Sequence, residues 1–405
     1  MRISTLQAFN NGVTGIQRNY SNATRTQEQI STGNRILTPA DDPVASVRLL
    51  QLEQQQNVLG QYDSNLTAAK NSLTQEEVTL NSVNTVLQRV RELAVNAGNG
   101  ALDPQDRKAI AAELGEREDE LLSLMNTRNA RGEYLFAGFQ GKTQPFVRAA
   151  DGSYSYQGDE GQRKLQIASS LSIPISDSGK SIFESVTNAG RLGAAVSDQA
   201  TSTLKVSGAL VSDEVSFADL GGLEITFGAS PNEKSYSVAD ASGNVISTGS
   251  LNNDEKKENK LVVGGVTLFI SGQPTAGEVI TIPENGNPKQ GVLDTIANLR
   301  KALEEPATDN AGVRDAVAVA LTNLDHGMVS VDAARGNIGA RLNVIETTQT
   351  DNADVTLVNK GVQADLRELD YAEALSRLSM QTVVLEAAQQ SYVKIAGLSL
   401  FNVMR

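Results

Sequence analysis

An apolar repeat at alternating spacings of three and four residues opens the chain, and it limits the fold more than any other feature. Leu6, Phe9, Val13, Ile16, Tyr20, Ala23, Gln27 and Ile30 fall on that repeat, and seven of these eight are apolar. The spacing puts one thin apolar stripe on a helix, suited to burial against a second helix. A helix with so narrow a stripe has little reason to fold alone, because isolated helices are marginal in water. Leu375, Leu378, Leu385, Tyr392, Ala396 and Val403 repeat the spacing near the other end, with Ile395 beside them. Two such helices fit an assembling protein and an ordinary intramolecular coiled coil equally well.

Composition narrows the function. The 405 residues carry 48 Asp and Glu against 35 Lys and Arg, a net charge of −13. That balance argues against nucleic acid as a partner, since phosphate neutralisation needs clustered cations. The chain has no Cys and one His, which excludes disulfides and thiolate metal sites. No apolar run approaches the roughly eighteen residues of a membrane span, so no membrane insertion is expected. The first residues run into the amphipathic helix without the apolar core of a cleaved secretory signal.

Proline and aromatic placement divides the chain. No proline lies between Pro43 and Pro104 or after Pro306, and 11 of the 17 Phe and Tyr residues fall between Tyr134 and Phe269. Helical flanks around a turn-rich, aromatic middle predict a mainly α fold with a β insertion. Long antiparallel, coiled-coil-like helices come from both ends, and the central β-rich region forms an outer domain.

The first helix is expected to stop at Gly33, and Asp42 to cap a second helix that starts at Pro43. That helix carries Leu59, Tyr62, Leu66, Ala69, Leu73, Glu76, Leu80, Val83, Leu87, Val90 and Ala94 on one stripe, with Glu76 the exception to its apolar character. A third helix from Pro104 to about residue 129 folds back on it. Residues 153–156 and 163–167 alternate like strands, with 158–161 read as their hairpin turn. Further strands are expected at 203–206, 223–227, 235–238, 261–270 and 279–282. Helix returns at 292–303 and from 310 onward. The polar stretch 351–361 is expected to loosen that last long helix, and Gly336 and Gly339 within it suggest a close helix approach.

Catalytic chemistry finds little material. His326 lacks ligand partners at helical spacing and reads as structural. Asp151-Gly152 and Asp159-Glu160 lack the spacing of a calcium loop. The stretch 132–141 lacks the lysine ending of a phosphate loop. Asp42 is explained by capping, and Asp41 reads as an ion-pair partner for an arginine of a neighbouring subunit. Neither a catalytic site nor a metal or other cofactor is expected.

Residues 30–36, Ile-Ser-Thr-Gly-Asn-Arg-Ile, followed by Asp41-Asp42-Pro43, resemble the signature of the bacterial flagellin family. Tyr134-Leu135-Phe136-Ala137-Gly138 with Pro145-Phe146 is similar to the members of that family that join hook to filament, as is the proline after the double aspartate. Gly33, Arg35, Asp41, Asp42, Pro43, Tyr134, Phe136, Gly138, Pro145 and Phe146 carry the resemblance, which covers residues 1–146 and 292–405. It implies a non-enzymatic structural subunit of the extracellular flagellum, exported without a cleaved signal. It also implies three parts: a terminal helical layer (1–42 and 366–405), a rod (43–140 and 288–365) and a β-rich outer domain (141–287).

The implied partners are a hook-associated protein on the hook side, flagellin on the filament side, copies of the chain in a ring, and a cytoplasmic export chaperone on the C-terminal helix. The terminal stripes, namely Leu6, Phe9, Val13, Ile16, Tyr20, Ala23 and Ile30 with Leu375, Leu378, Leu385, Tyr392, Ile395 and Ala396, would be the assembly interface. Filament flagellin itself, or a surface adhesin on a coiled-coil base, are the alternative readings.

Overall fold

The computed structural model describes residues 5–403 except 101, 198–202, 230–231, 253–257, 285 and 306–307; the side chains of 5, 6, 8, 9 and 395–403 lie outside the description. Two compact units form. One comprises Met1–Ser64 with Thr347–Arg405, the other Asn65–Glu346. Two long helices run through both.

The helices are α1 (Thr5–Thr32), α2 (Pro43–Ala97), α3 (Pro104–Met125), α4 (Glu214–Phe217), α5 (Val292–Glu304), α6 (Asn310–Arg367) and α7 (Tyr371–Val403). Gly33 ends α1 in the left-handed region, at φ 71°. Asp103 caps α3 by accepting the N–H groups of Gln105 and Asp106, with Pro104 at the first helical position. α3 stops at Met125, short of the expected 129. The polar stretch 351–361 does not loosen α6, which is continuous to Arg367. Gly336 and Gly339 mark no close approach either, since a Cβ at either would meet nothing within 4 Å.

In the larger unit the α2 stripe forms the spine of the core. Leu66, Leu73, Leu80, Val83, Leu87, Val90 and Ala94 pack in one cluster with Leu114, Leu121 and Met125 of α3, Ile296 and Leu299 of α5, and Val317, Leu324, Val331 and Ile338 of α6. Ion pairing of Arg91 with Asp325 at 2.7 Å, and the contact of Asn84 with Asp332, set α2 and α6 antiparallel.

The strands are β1 (Phe146–Arg148), β2 (Tyr154–Tyr156), β3 (Lys164–Gln166), β4 (Ser172–Pro174), β5 (Ala195–Val196), β6 (Lys205–Val211), β7 (Gly222–Phe227), β8 (Ser235–Asp240), β9 (Val245–Ser250), β10 (Asn259–Val263), β11 (Val266–Ser271) and β12 (Val279–Pro283). A three-stranded sheet β10-β11-β6 and a five-stranded sheet β5-β12-β7-β8-β9 share one apolar core. Along β11, Val266, Leu268 and Ile270 turn inward at every second residue.

Two strand expectations are corrected. The single strand expected at 261–270 is a hairpin, because Gly264 and Gly265 both take positive φ and make a two-residue turn. The 158–161 segment is not a hairpin turn. β2 pairs back with β1, and β3 pairs with β4. The cause is Asp159, whose carboxylate accepts the N–H groups of Phe139, Gln140 and Gly161 and fastens this segment to the loop before β1.

Candidate assembly interface

The smaller unit is built on the pairing of α1 with α7. Gly12 lies against the Tyr392 ring, Gln29 accepts a hydrogen bond from Arg377 at 3.3 Å, and Gly33 faces the Tyr371 hydroxyl. As the chain advances from 12 to 33 on one helix, its neighbour falls from 392 to 371, so the pair is antiparallel.

The covered face of α7 is one heptad stripe: Ala374, Leu378, Gln381, Leu385, Ala388 and Tyr392 are each at least partly buried. On α1 it is Gly12, Ile16, Asn19, Ala23, Thr26 and Ile30. This face is rotated slightly from the one that periodicity selects. Ile16, Ala23 and Ile30 belong to both, and Val13 is half-buried at the edge. Tyr20, however, is 63% exposed and Leu375 also stands in the open. Asn19 and Ala374, each one residue away, take the covered positions instead. The side chains of Leu6, Phe9, Ile395 and Ala396 lie outside the described residues.

The connector after α1 forms a joint with the chain between α6 and α7. Arg35 N–H donates to the Arg367 carbonyl at 2.8 Å, Leu369 N–H to that of Gly33 at 3.0 Å, and the Arg35 guanidinium to the Leu366 carbonyl at 3.0 Å. Arg367 donates in turn to the Asn34 side chain at 3.0 Å. Asp41 folds the connector by accepting Leu37 N–H (2.9 Å) and Thr38 N–H (3.0 Å). Within the chain its cation is Arg25. Asp42 caps α2 through the N–H of Ala45 at 3.0 Å. Gly33, Arg35, Asp41, Asp42 and Pro43 therefore build a turn that holds both ends of the chain together.

In the rest of the smaller unit many apolar side chains stand open, although Leu49, Leu52, Leu59 and Tyr62 of α2 are partly buried. On the α6 stretch from 348 to 363, the covered positions are Thr348, Gln349, Asn352, Thr356, Asn359, Val362 and Gln363, six of the seven polar, with Asn359 only 7% exposed. The apolar residues Val355, Leu357 (70% exposed) and Val358 face outward. Val44, Val47, Leu50 and Val58 of α2 do the same, as do Met380 (71% exposed), Val383, Val384 and Val393 of α7. An apolar-rich groove of about 410 Å³ opens between α1 and α7, lined by Asn19, Asn22, Met380 and Val384 among others. Exposed apolar faces of this kind are candidate association sites. The thin-stripe reading missed these positions. Their signal was the breadth of the apolar pattern on α7, where Val383 and Val384 adjoin Leu385.

The second signature segment lies in the larger unit and is interior. Tyr134 N–H donates to the Gly141 carbonyl at 2.7 Å, and the Arg128 guanidinium stacks 4.3 Å from the Tyr134 ring centre. Phe136 is fully buried, edge-on to Phe183 at 5.2 Å. Phe146 is buried beside it, its N–H held by Asn126 at 3.0 Å. The His326 Nδ1–H donates to the Thr187 carbonyl, 3.1 Å away, in a half-buried structural contact. Among the described residues no three His, Asp or Glu side chains converge as metal ligands, and no helix is long and apolar enough to cross a membrane.

Comparison with known proteins agrees with this geometry. Residues 3–141 match the bacterial flagellin N-terminal helical region. Flagellar hook-associated protein 3 of Escherichia coli is 25% identical over the whole of both chains, and that of Salmonella typhimurium is 26% identical, again over the whole of both. The crystal structure of flagellar hook-associated protein 3 from Legionella pneumophila superposes with a TM-score of 0.65 at 25% identity, covering 78% of this chain and 98% of that one.

Proposed function

We propose that this chain, a member of the bacterial flagellin family, is a structural subunit of the flagellum that joins the hook to the filament. One observation carries the reading beyond the likeness to hook-associated protein 3: in the unit formed by the chain ends, many valines, several leucines and a methionine stand open on α2, α6 and α7, while Asn352, Asn359 and Gln363 of α6 are covered. Burying an apolar side chain is worth about 1.5–3 kcal/mol. The open row on α2, α6 and α7 is therefore a strong drive to associate, and the chain itself leaves it unsatisfied. In an assembled ring those faces are covered by copies of the chain, by a hook-associated protein on one side and by flagellin on the other.

The same surface accounts for an export chaperone on the C-terminal helix. Leu375, Met380, Val383, Val384 and Val393 would otherwise associate before export, so masking them keeps the subunit single. Export proceeds without a cleaved signal, and the protein works outside the cell. It performs no catalysis. The α1–α7 pair and its joint form the terminal layer, the long helices the rod, and the β sandwich the outward domain.

The test replaces Met380 and Val384 with Asp. Both are exposed and lie outside the covered stripe of α7, so the helix pair and the larger unit stay folded. Cells that carry only this variant are expected to export it and to bear bare hooks without filaments, seen by electron microscopy. Normal filaments on those hooks would overturn the reading.

A further inference from the structure

Three elements of the larger unit meet at a charged point inside its apolar core. Glu76 occupies the one non-apolar position of the α2 stripe and is 1% exposed. Its Oε1 accepts the backbone N–H of Asp177 at 3.1 Å. One turn earlier, Ser72 donates to the carbonyl of Ile175 at 2.9 Å. These two bonds fasten residues 175–177, which follow β4, onto α2. Ile175 and, just beyond, Ile182 and Phe183 sit in the same core.

The Asp177 carboxylate is buried as well. Arg341 of α6 engages both its oxygens at 2.9 Å, and Gln162 donates to it at 2.7 Å. Arg163, before β3, is the other cation that faces the cluster, and it is committed to Glu133 at 2.7 Å. The charged and titratable groups here are thus Glu76, Asp177, Arg341 and Arg163, with Glu133 behind the last. Each arginine is already held by another carboxylate. An ionised Glu76 would stand desolvated beside Asp177 without a cation of its own.

We propose that this junction is a proton-operated latch: protonated Glu76 keeps residues 175–177 fastened to α2, and release of the segment gives up that proton. Burial, reinforced by the Asp177 charge, pushes the Glu76 carboxyl from its ordinary 4.5 up to about 8. The sign follows from linkage. The fastened state keeps a proton that the released state loses once the pH exceeds 4.5. Fastening is therefore strongest in acid. It weakens by about tenfold per pH unit between those two values and levels off above the upper one. Release draws Ile175 out of the helical core and loosens the path by which the chain leaves β4.

Hydrogen–deuterium exchange of the full chain tests this, read at the amide of Asp177 and corrected for the intrinsic rate at each pH. Protection is expected to fall about tenfold per pH unit between roughly pH 5 and 8 in the wild type. In Glu76→Gln, which still offers an oxygen to the Asp177 N–H, it is expected to be flat. A flat wild-type profile, or an equal slope in Glu76→Gln, overturns the latch. Should Glu76→Gln fail to fold, a carboxyl-carbon NMR titration of wild-type Glu76 decides: a midpoint near 8 supports the latch, and one near the ordinary 4.5 overturns it.

Discussion

The Asp159 carboxylate occupies the space that a side chain at position 138 would need. It is held there by the N–H groups of Phe139 and Gln140, both at 2.9 Å, and of Gly161 at 2.7 Å. Gly138 takes φ 69°, and a Cβ built on it would collide with that carboxylate. The glycine of the signature segment thus answers two demands at once, a left-handed turn and a close carboxylate. Gly138→Ala is expected to destabilise the larger unit by roughly 1–3 kcal/mol, read as a lower midpoint of urea unfolding. Burial opposes ionisation of Asp159, but its amide donors outweigh it and hold the carboxyl below its ordinary 3.8. Its stabilisation is present above that value and lost as pH falls through the folded-state value. Asp159→Asn should blunt the acid dependence of unfolding.

The joint at the chain ends depends on Asp41 more than on Asp42. Asp41 satisfies two backbone N–H groups and Arg25, whereas Asp42 supplies one helix cap and a longer contact to Arg35 at 3.6 Å. Asp41→Ala is expected to cost about 1–3 kcal/mol, and Asp42→Ala about 1 kcal/mol. Exchange at the Leu37 and Thr38 amides should rise sharply in the first variant and stay near wild type in the second.

A second buried carboxylate ties α3 to α5 and β2. Glu118, 1% exposed, accepts from the Tyr154 hydroxyl at 2.5 Å and pairs with Arg300 at 2.9 Å. Burial, and next the Glu118 hydrogen bond, push the Tyr154 phenol well above its ordinary value. Glu118→Ala leaves Arg300 without its buried partner and is expected to cost about 3–5 kcal/mol. Tyr154→Phe should cost about 1 kcal/mol. The double variant should be less destabilised than the sum, since both act on one carboxylate. Denaturant titration of the four chains measures this.

Gly336 and Gly339 sit in the interior of α6 with open space where side chains would go. Alanine at either should stabilise the isolated chain by about 0.5–1 kcal/mol, by restricting the unfolded chain and favouring helix. A raised thermal midpoint for each single variant, and a further rise for the pair, is the expected result.

Periodicity and punctuation were enough to read the long helices. The bounds of α2, from Pro43 to Ala97, follow from an aspartate–proline start, an unbroken apolar stripe and a Gly-Asn-Gly stop, all of them local rules. The general α-with-β-insertion plan and the family likeness are equally local, because they rest on contiguous motifs. Gly264-Gly265 was legible too, had the pair been read as a turn inside an otherwise continuous apolar run.

Other features required three dimensions. Whether Tyr20 or Asn19 faces α7 differs by one residue, about 100° of helix rotation. It is settled by which face of α1 packs on α7 in the fold, which periodicity does not encode. The Arg25–Asp41 pair and the Gly138–Asp159 collision join residues 16 and 21 positions apart through folded loops. Glu76 looked like a flaw in an apolar stripe. Its meaning came only when folding set Asp177 and Arg341, from two distant segments, beside it and away from water.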